Sequence, residues 1–301
     1  MRTIAFLSIL VTALVATPAA NAQTEKNGAN EVCPWPEKLD AVKAAPGNHK
    51  IIFENEHVRV LQVTIAPHSK EPIHTHCWPG TLYVQQSGDV IDRDANGKIL
   101  FDSRQLKVKP KVPFVDWTLR DPPHAIENLD DLPLKLIRIE NKVATNRSQL
   151  ICPWPGDLDG VKAAPETHKV IFENEHVRVL DVTIPPHSKE PVHTHCLPST
   201  LYMQQISEIV VGDPDGKVAF DSRQMKESEK QKAPFVLWNA GEGPHWDENP
   251  TDFPIRIIQI EQKTEAHRLG QRCNRDLKRQ AAVSFSTVIK IRCKLLVSER
   301  K

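Results

Sequence analysis

Residues 71 to 84 read EPIHTHCWPGTLYV, and residues 190 to 203 read EPVHTHCLPSTLYM. In an extended chain, side chains two positions apart share a face, so His74 and His76 present two imidazoles together, as do His193 and His195. Each pair follows a Glu-Pro turn signal and precedes a Cys, a Pro and the apolar-aromatic run Thr-Leu-Tyr. Paired neutral nitrogen donors on one strand are half of a metal site. Their recurrence at an offset of 119 residues, His74 to His193, marks a duplicated domain.

The duplication extends well beyond this stretch. Val32 to Lys142 aligns with Ile151 to Lys263, beginning with CPWPEKLDAVKAAPGNHKIIFENEHVRV against CPWPGDLDGVKAAPETHKVIFENEHVRV. The offset holds to Ser103 and Ser222 and becomes 121 by Trp117 and Trp238, placing a two-residue insertion in the loop between. A period this long is a domain repeat, because solenoid arrays recur every 20 to 50 residues or so. The 301 residues therefore divide into domains at 32–143 and 151–263, with a basic extension at 264–301 that matches neither repeat and is expected to be poorly ordered.

Inside each repeat the pattern is that of short strands. HVRVLQVTI (57–65) is rich in β-branched residues, and Leu61, Val63 and Ile65 alternate on one face. Turn signals at DANGK (94–98) and DPDGK (213–217) each lead into another apolar run. Regular short strands with Pro and Gly between them predict an all-β barrel or sandwich. Helix is expected only in EKLDAVKAA, GDLDGVKAA and the tail.

Residues 1 to 22 have Arg2, an apolar run from Ile4 to Val15 and an Ala-x-Ala ending at Ala22, which is the pattern of a signal peptide. An exported protein, periplasmic or extracellular and without a membrane span, is the expectation. Oxidation of Cys33, Cys77, Cys152 and Cys196 in pairs within each repeat goes with it. Lys plus Arg (39) balances Asp plus Glu (38), which argues against nucleic acid as a partner and for a small molecule.

The third ligand of each site is expected from a neighbouring strand: His124 in PPHAIEN (122–128) and His245 in GPHWDEN (243–249). The order of turn, His-x-His, strand, then Pro-His with Asn four residues after the His, resembles the cupin superfamily, and the duplication resembles a bicupin. The resemblance rests on His74, His76, Gly88, His124 and Asn128 in the first half and on His193, His195, His245 and Asn249 in the second. It implies two antiparallel β-barrels of jelly-roll type, each holding a divalent metal, with Fe(II) first and Zn or Mn as alternatives. A non-haem dioxygenase or other oxidoreductase acting on a small organic molecule is the implied activity, with a non-catalytic ligand-binding or metal-binding protein as the alternative.

The sequence departs from the family pattern where a Glu ligand is usual: Thr81 and Thr200 stand five residues after the second His, leaving sites of three histidines. His68 and His187 stand where a Gly normally opens the first motif, and they are expected at the surface. Tyr83 and Tyr202, on the same strand face as the two threonines, are candidates for donating a hydrogen bond to bound substrate. Trp117 and Trp238 are expected to pack the barrels. Cys77 and Cys196 are weaker candidates for a fourth ligand, and His49, His57, His168 and His176, in the opening segments, are assigned no chemistry.

Overall fold

A computed structural model describes residues 33–142 and 152–263. Residues 1–22, expected to be a signal peptide, and the extension at 264–301 lie outside the described residues. In the first repeat a four-residue helix α1 (Ala41–Ala44) precedes β1 (His49–Glu54), β2 (Val58–Ile65), β3 (Ser69–Lys70), β4 (His74–His76), β5 (Gly80–Gln86), β6 (Val90–Asp94), β7 (Ile99–Asp102), β8 (Phe114–Thr118), β9 (Asp121–Asn128) and β10 (Leu134–Asn141). The second repeat has α2 (Gly160–Ala163), then β11 (His168–Glu173), β12 (Val177–Ile184), β13 (Ser188–Lys189), β14 (His193–His195) and β15 (Ser199–Gln205). It continues with β16 (Val210–Gly212), β17 (Val218–Asp221), β18 (Phe235–Asn239), β19 (Glu242–Asn249) and β20 (Ile255–Gln262).

Each repeat is a pair of antiparallel sheets. In the first, one sheet runs β1-β2-β10-β5-β8 and the other β3-β9-β6-β7, with β4 also on β9. The second repeat has the equivalent sheets β11-β12-β20-β15-β18 and β13-β19-β16-β17, with β14 on β19. The all-β expectation of two tandem cupin-type barrels describes this architecture. Between the sheets of the first barrel lie Leu61, Val63, Ile65, Val84, Leu134 and Leu136, closed over by Val42 of α1, Val90 and Ile126. Leu180, Val182, Ile184, Met203, Ile255 and Ile257 fill the second.

Alternation along β5 decides what faces inward. Gly80, Leu82 and Val84 pair with Glu140, Arg138 and Leu136 of β10, so these six share the interior face. Thr81 and Tyr83 pair with Ile139 and Ile137 and point the other way. That outer face is not exposed, because it packs on the same face of the other barrel. Val58, Val60, Tyr83, Ile137 and Ile139 form one buried cluster with Val177, Val179, Tyr202, Val236, Ile258 and Ile260.

The contacts across this interface come in matched pairs. Gln204 Nε2 donates to the Tyr83 hydroxyl at 3.0 Å, and Gln85 Nε2 to the Tyr202 hydroxyl at 3.4 Å. Trp117 stacks on His176 and Trp238 on His57, each at 4.9 Å between ring centroids. Tyr83 and Tyr202 therefore join the barrels back to back and do not face the histidines, which corrects their assignment as substrate donors. The same register turns Thr81 and Thr200, which stand where the resembled family usually has its Glu ligand, away from the barrel interiors.

Disulfides Cys33–Cys77 and Cys152–Cys196, each closing a separation of 44 residues, fasten the opening segments to the residues just after the His-x-His strands. In chain-entropy terms each is worth about 4 kcal/mol. They also remove Cys77 and Cys196 as metal ligands. His68 and His187 adopt left-handed backbone with φ of 49° and 52°, the conformation for which Gly is the usual choice, and both side chains are exposed as expected. Among the described residues no helix is long and apolar enough to cross a membrane.

If Tyr83 is an interface residue, Tyr83→Ala costs about 3–5 kcal/mol of stability. Tyr83→Phe loses only one hydrogen bond, about 1 kcal/mol, and leaves metal uptake unchanged. Urea unfolding with metal analysis checks both. A Tyr83→Phe protein of normal stability that had lost its metal would return the hydroxyl to the site.

Candidate metal centres

The His-x-His strand is placed by two neighbours. β4 pairs with β9 so that His74 stands directly opposite His124, and β14 pairs with β19 so that His193 stands opposite His245. Asn128, fully buried, fixes the end of β9 by donating to the carbonyls of Ile65, Ala66 and Leu132. Asn249 makes the same three bonds, to Ile184, Pro185 and Phe253. The Asn of the motif is thus a structural lock.

Hydrogen bonds determine which ring nitrogen carries the proton. A carbonyl only accepts, so His74 Nδ1 donates to Pro72 O (3.0 Å) and His124 Nδ1 to Pro122 O (2.8 Å). His76 Nδ1 donates to the Glu140 carboxylate at 2.7 Å. The second barrel repeats the arrangement: His193 to Pro191 O (2.9 Å), His245 to Gly243 O (2.8 Å) and His195 to Glu261 (3.2 Å). In every case Nε2 is left with its lone pair.

Burial keeps His74, His76 and His193 neutral. It lowers His74 to about 4, with help from His124, and His193 to about 3, with help from His245 and His195. Unprotonated imidazoles are what a metal requires at neutral pH. Yet His74 Nε2 lies 3.2 Å from His76 Nε2 with no proton between them. Two lone pairs face each other at the separation expected of two ligands on one ion, about 3.3 Å for tetrahedral metal–nitrogen bonds of 2.0–2.1 Å. The donor set fits a divalent metal.

Behind the second His of each pair runs a chain of charges. Arg59 holds Asp40 through two hydrogen bonds of 3.0 Å and Glu140 through a third of 2.6 Å. Arg178 holds Asp159 at 3.1 and 2.9 Å and also bonds Glu261. Burial drives the Glu261 carboxyl upward, but His195 and Arg178 outweigh it and hold it down to about 2. A carboxylate on Nδ1 fixes ring and tautomer and raises the basicity of Nε2.

All six predicted ligands lie in these two clusters. His74 and His124 are close, with centroids 4.5 Å apart, whereas His76 and His124 are 5.8 Å apart. The tightest histidine groupings have a different third member: His49 with His74 and His76, and His168 with His193 and His195. His49 and His168, to which the sequence assigns no chemistry, thus stand within the histidine clusters. The recurrence of HKIIFE and HKVIFE at the head of each repeat was the available signal, and no His-x-His pattern drew attention to it. Glu71 with His74 and His124, and Asp247 with His193 and His245, form further groupings. Burial raises Glu71 to about 8 and Asp247 to about 7.

The barrels differ in charge at one inward position of β10 and β20. Arg138 of the first bonds Glu140 at 3.3 Å and Asp121 at 2.9 Å, and its Nη2 is buried without a hydrogen-bond partner. The equivalent Gln259 donates to Ser199 at 3.3 Å.

No family model matches the sequence, and no curated protein matches it. Among solved structures it is similar to a cupin domain from Bordetella pertussis Tohama I (20% identity, 32% of this chain and 92% of that one, TM-score 0.27). AerE from Microcystis aeruginosa is another (12% identity, 72% and 97%, TM-score 0.42). A third is Bacillus subtilis oxalate decarboxylase, described with Mn(II) centres (13% identity, 75% and 80%, TM-score 0.39). The chain itself is two tandem antiparallel barrels of equivalent strand order, each with a histidine cluster suited to a divalent metal inside it.

The carboxylate behind each His-x-His pair should matter to the metal without touching it. Glu261→Gln keeps the shape and removes the charge, and the affinity of the second barrel for a divalent metal should fall about 10-fold or more in a chelator competition. Unchanged affinity in a folded variant would show that Glu261 serves only Arg178.

Proposed function

We propose that the protein is an exported metalloprotein with one divalent metal in each barrel, and that it oxidises a small anionic organic molecule with oxygen. The observation that carries this reading is the 3.2 Å approach of two unprotonated Nε2 atoms, which a shared cation relieves. Fe(II) is the metal proposed, with Zn or Mn as alternatives.

A divalent ion in such a site supplies Lewis acidity and, when it is iron, one-electron redox chemistry. The residues contribute the rest. Neutral imidazoles leave the ion its full charge, which favours an anionic partner. In the first barrel the free Nη2 of Arg138 adds a hydrogen-bond donor for a carboxylate or similar group. Gln259 offers no charge at that position, so the first barrel is proposed as the one that binds the anion more tightly. The signal-peptide pattern and the two disulfides support export.

Metal analysis of protein loaded with Fe(II) and then desalted should find two ions per chain, and His74→Ala with His76→Ala should halve that number. Folded protein that retains no divalent metal would refute the reading. Oxygen uptake by the iron-loaded protein with a panel of short carboxylic acids tests the reaction; no uptake would leave a metal-binding protein without oxidase activity. A mature chain that begins at Gln23, found by mass spectrometry outside the cytosol, tests export.

A further inference from the structure

The usual carboxylate ligand of the resembled family has no counterpart on the strand that should carry it. The inward positions of β5 and β15 nearest the histidines are Gly80 and Ser199, which pair with Glu140 and Glu261. At Gly80 a Cβ would lie 3.0 Å from Ile139 O and 3.6 Å from Arg138 Nε, so the place is closed by neighbours. A different strand delivers another donor to each cluster.

His49 opens β1 and pairs with Val63, and His168 opens β11 and pairs with Val182. Both valines belong to their barrel cores, so the paired imidazoles face inward as well. His49 lies 4.5 Å from His74 and 5.3 Å from His76 between centroids. In the second barrel His168 Nδ1 is 3.3 Å from the Glu190 carboxylate and 3.0 Å from the Thr167 hydroxyl, which places the ring proton there. His168 Nε2 then presents a lone pair 3.1 Å from His195 Nε2. Among the described residues this is a second close approach of two ring nitrogens at ligand-to-ligand spacing, and it involves a residue from outside the His-x-His motif.

We propose that His49 and His168 are metal ligands, each supplying from the opening strand the donor that the missing carboxylate would have supplied from the strand after the His-x-His pair. Each ion is then held by imidazoles alone, His124 and His245 completing the sets. The inference rests on the barrels being metal centres, as proposed above. Internal repetition favours it over a carboxylate ligand. The His49 and His168 groupings occupy equivalent positions in both repeats, whereas the groupings that include a carboxylate use Glu71 in one repeat and Asp247 in the other, which do not correspond; the equivalent pair Glu71 and Glu190 lies instead beside Nδ1 of His49 and His168, at 3.8 and 3.3 Å. An all-nitrogen set suits Fe, Zn, Cu, Ni and Co and discriminates against Mg and Ca, which prefer oxygen.

Metal-free full-length protein titrated with Co(II), followed by its visible absorption, tests this. Wild type should bind two ions per chain. His49→Ala with His168→Ala should weaken binding at least 10-fold and change the spectrum as water replaces nitrogen. His57→Ala with His176→Ala, which alters the other histidines of the opening segments, should keep the wild-type spectrum. If the first double variant is folded and matches wild type in both affinity and spectrum, His49 and His168 are not ligands and the inference fails. If folded wild type takes up no Co(II), the metal reading itself has failed. Where the alanine variants do not fold, pulsed EPR of the Cu(II)-loaded wild type counts coordinated imidazoles directly: four in each centre support the proposal and three or fewer overturn it.

Discussion

The structure turns on a buried carboxylate that accepts a proton-bearing Nδ1 from the second histidine of each His-x-His pair. Glu140 and Glu261 are fully buried, a placement too costly for a carboxylate without partners. Arg59 and Arg178 stand opposite them on the adjacent strands, and each arginine also grips the aspartate that caps the short helix of its opening segment. Helix α1, β2, β10 and β4 are thereby joined through one line of charge, Asp40 to Arg59 to Glu140 to His76. The bonds that hold the opening segment against the barrel also set the ring of His76. Site and fold are one network here, and removing a member leaves a buried charge unpaired.

Pairing of the barrels follows from having two apolar faces on one sheet. The inner face of β2, β5 and β10 fills the barrel, and the outer face, Val58, Val60, Tyr83, Ile137 and Ile139, needs cover. The second repeat supplies that cover with the same residues, which is why the interface contacts come in matched pairs. The histidine clusters sit on the inner faces, away from this interface, and each has its own carboxylate, arginine and disulfide. The difference between Arg138 and Gln259 is then one chemical distinction between the two centres, the other being Asp247 in the second where the first has Ile126.

Much of this was legible in the sequence. The duplication, the strands, the Cys pairing and the convergence of His74, His76 and His124 all follow from spacing and period. Three points did not. Alternation places Thr81 and Tyr83 on one face but does not say which face is inside when both are apolar, and the buried outer face made a tyrosine at the interface look like one in the barrel. His49 carries no local motif; its place beside His74 and His76 depends on β1 pairing with β2 in the register that sets it opposite Val63. Glu140 and Glu261 lie far from the histidines in sequence and look like the solvent-facing ends of strands, so their partnership with His76 and His195 emerges only once β10 and β20 are placed.

Anomalous diffraction from crystals of the metal-loaded protein, recorded at the absorption edge of the metal, tests the central claim most directly. The account predicts one peak inside each barrel, about 2.0–2.2 Å from the Nε2 atoms of the His-x-His pair. Peaks only at exposed positions such as His68 and His187, with the barrel interiors empty of metal, would contradict it.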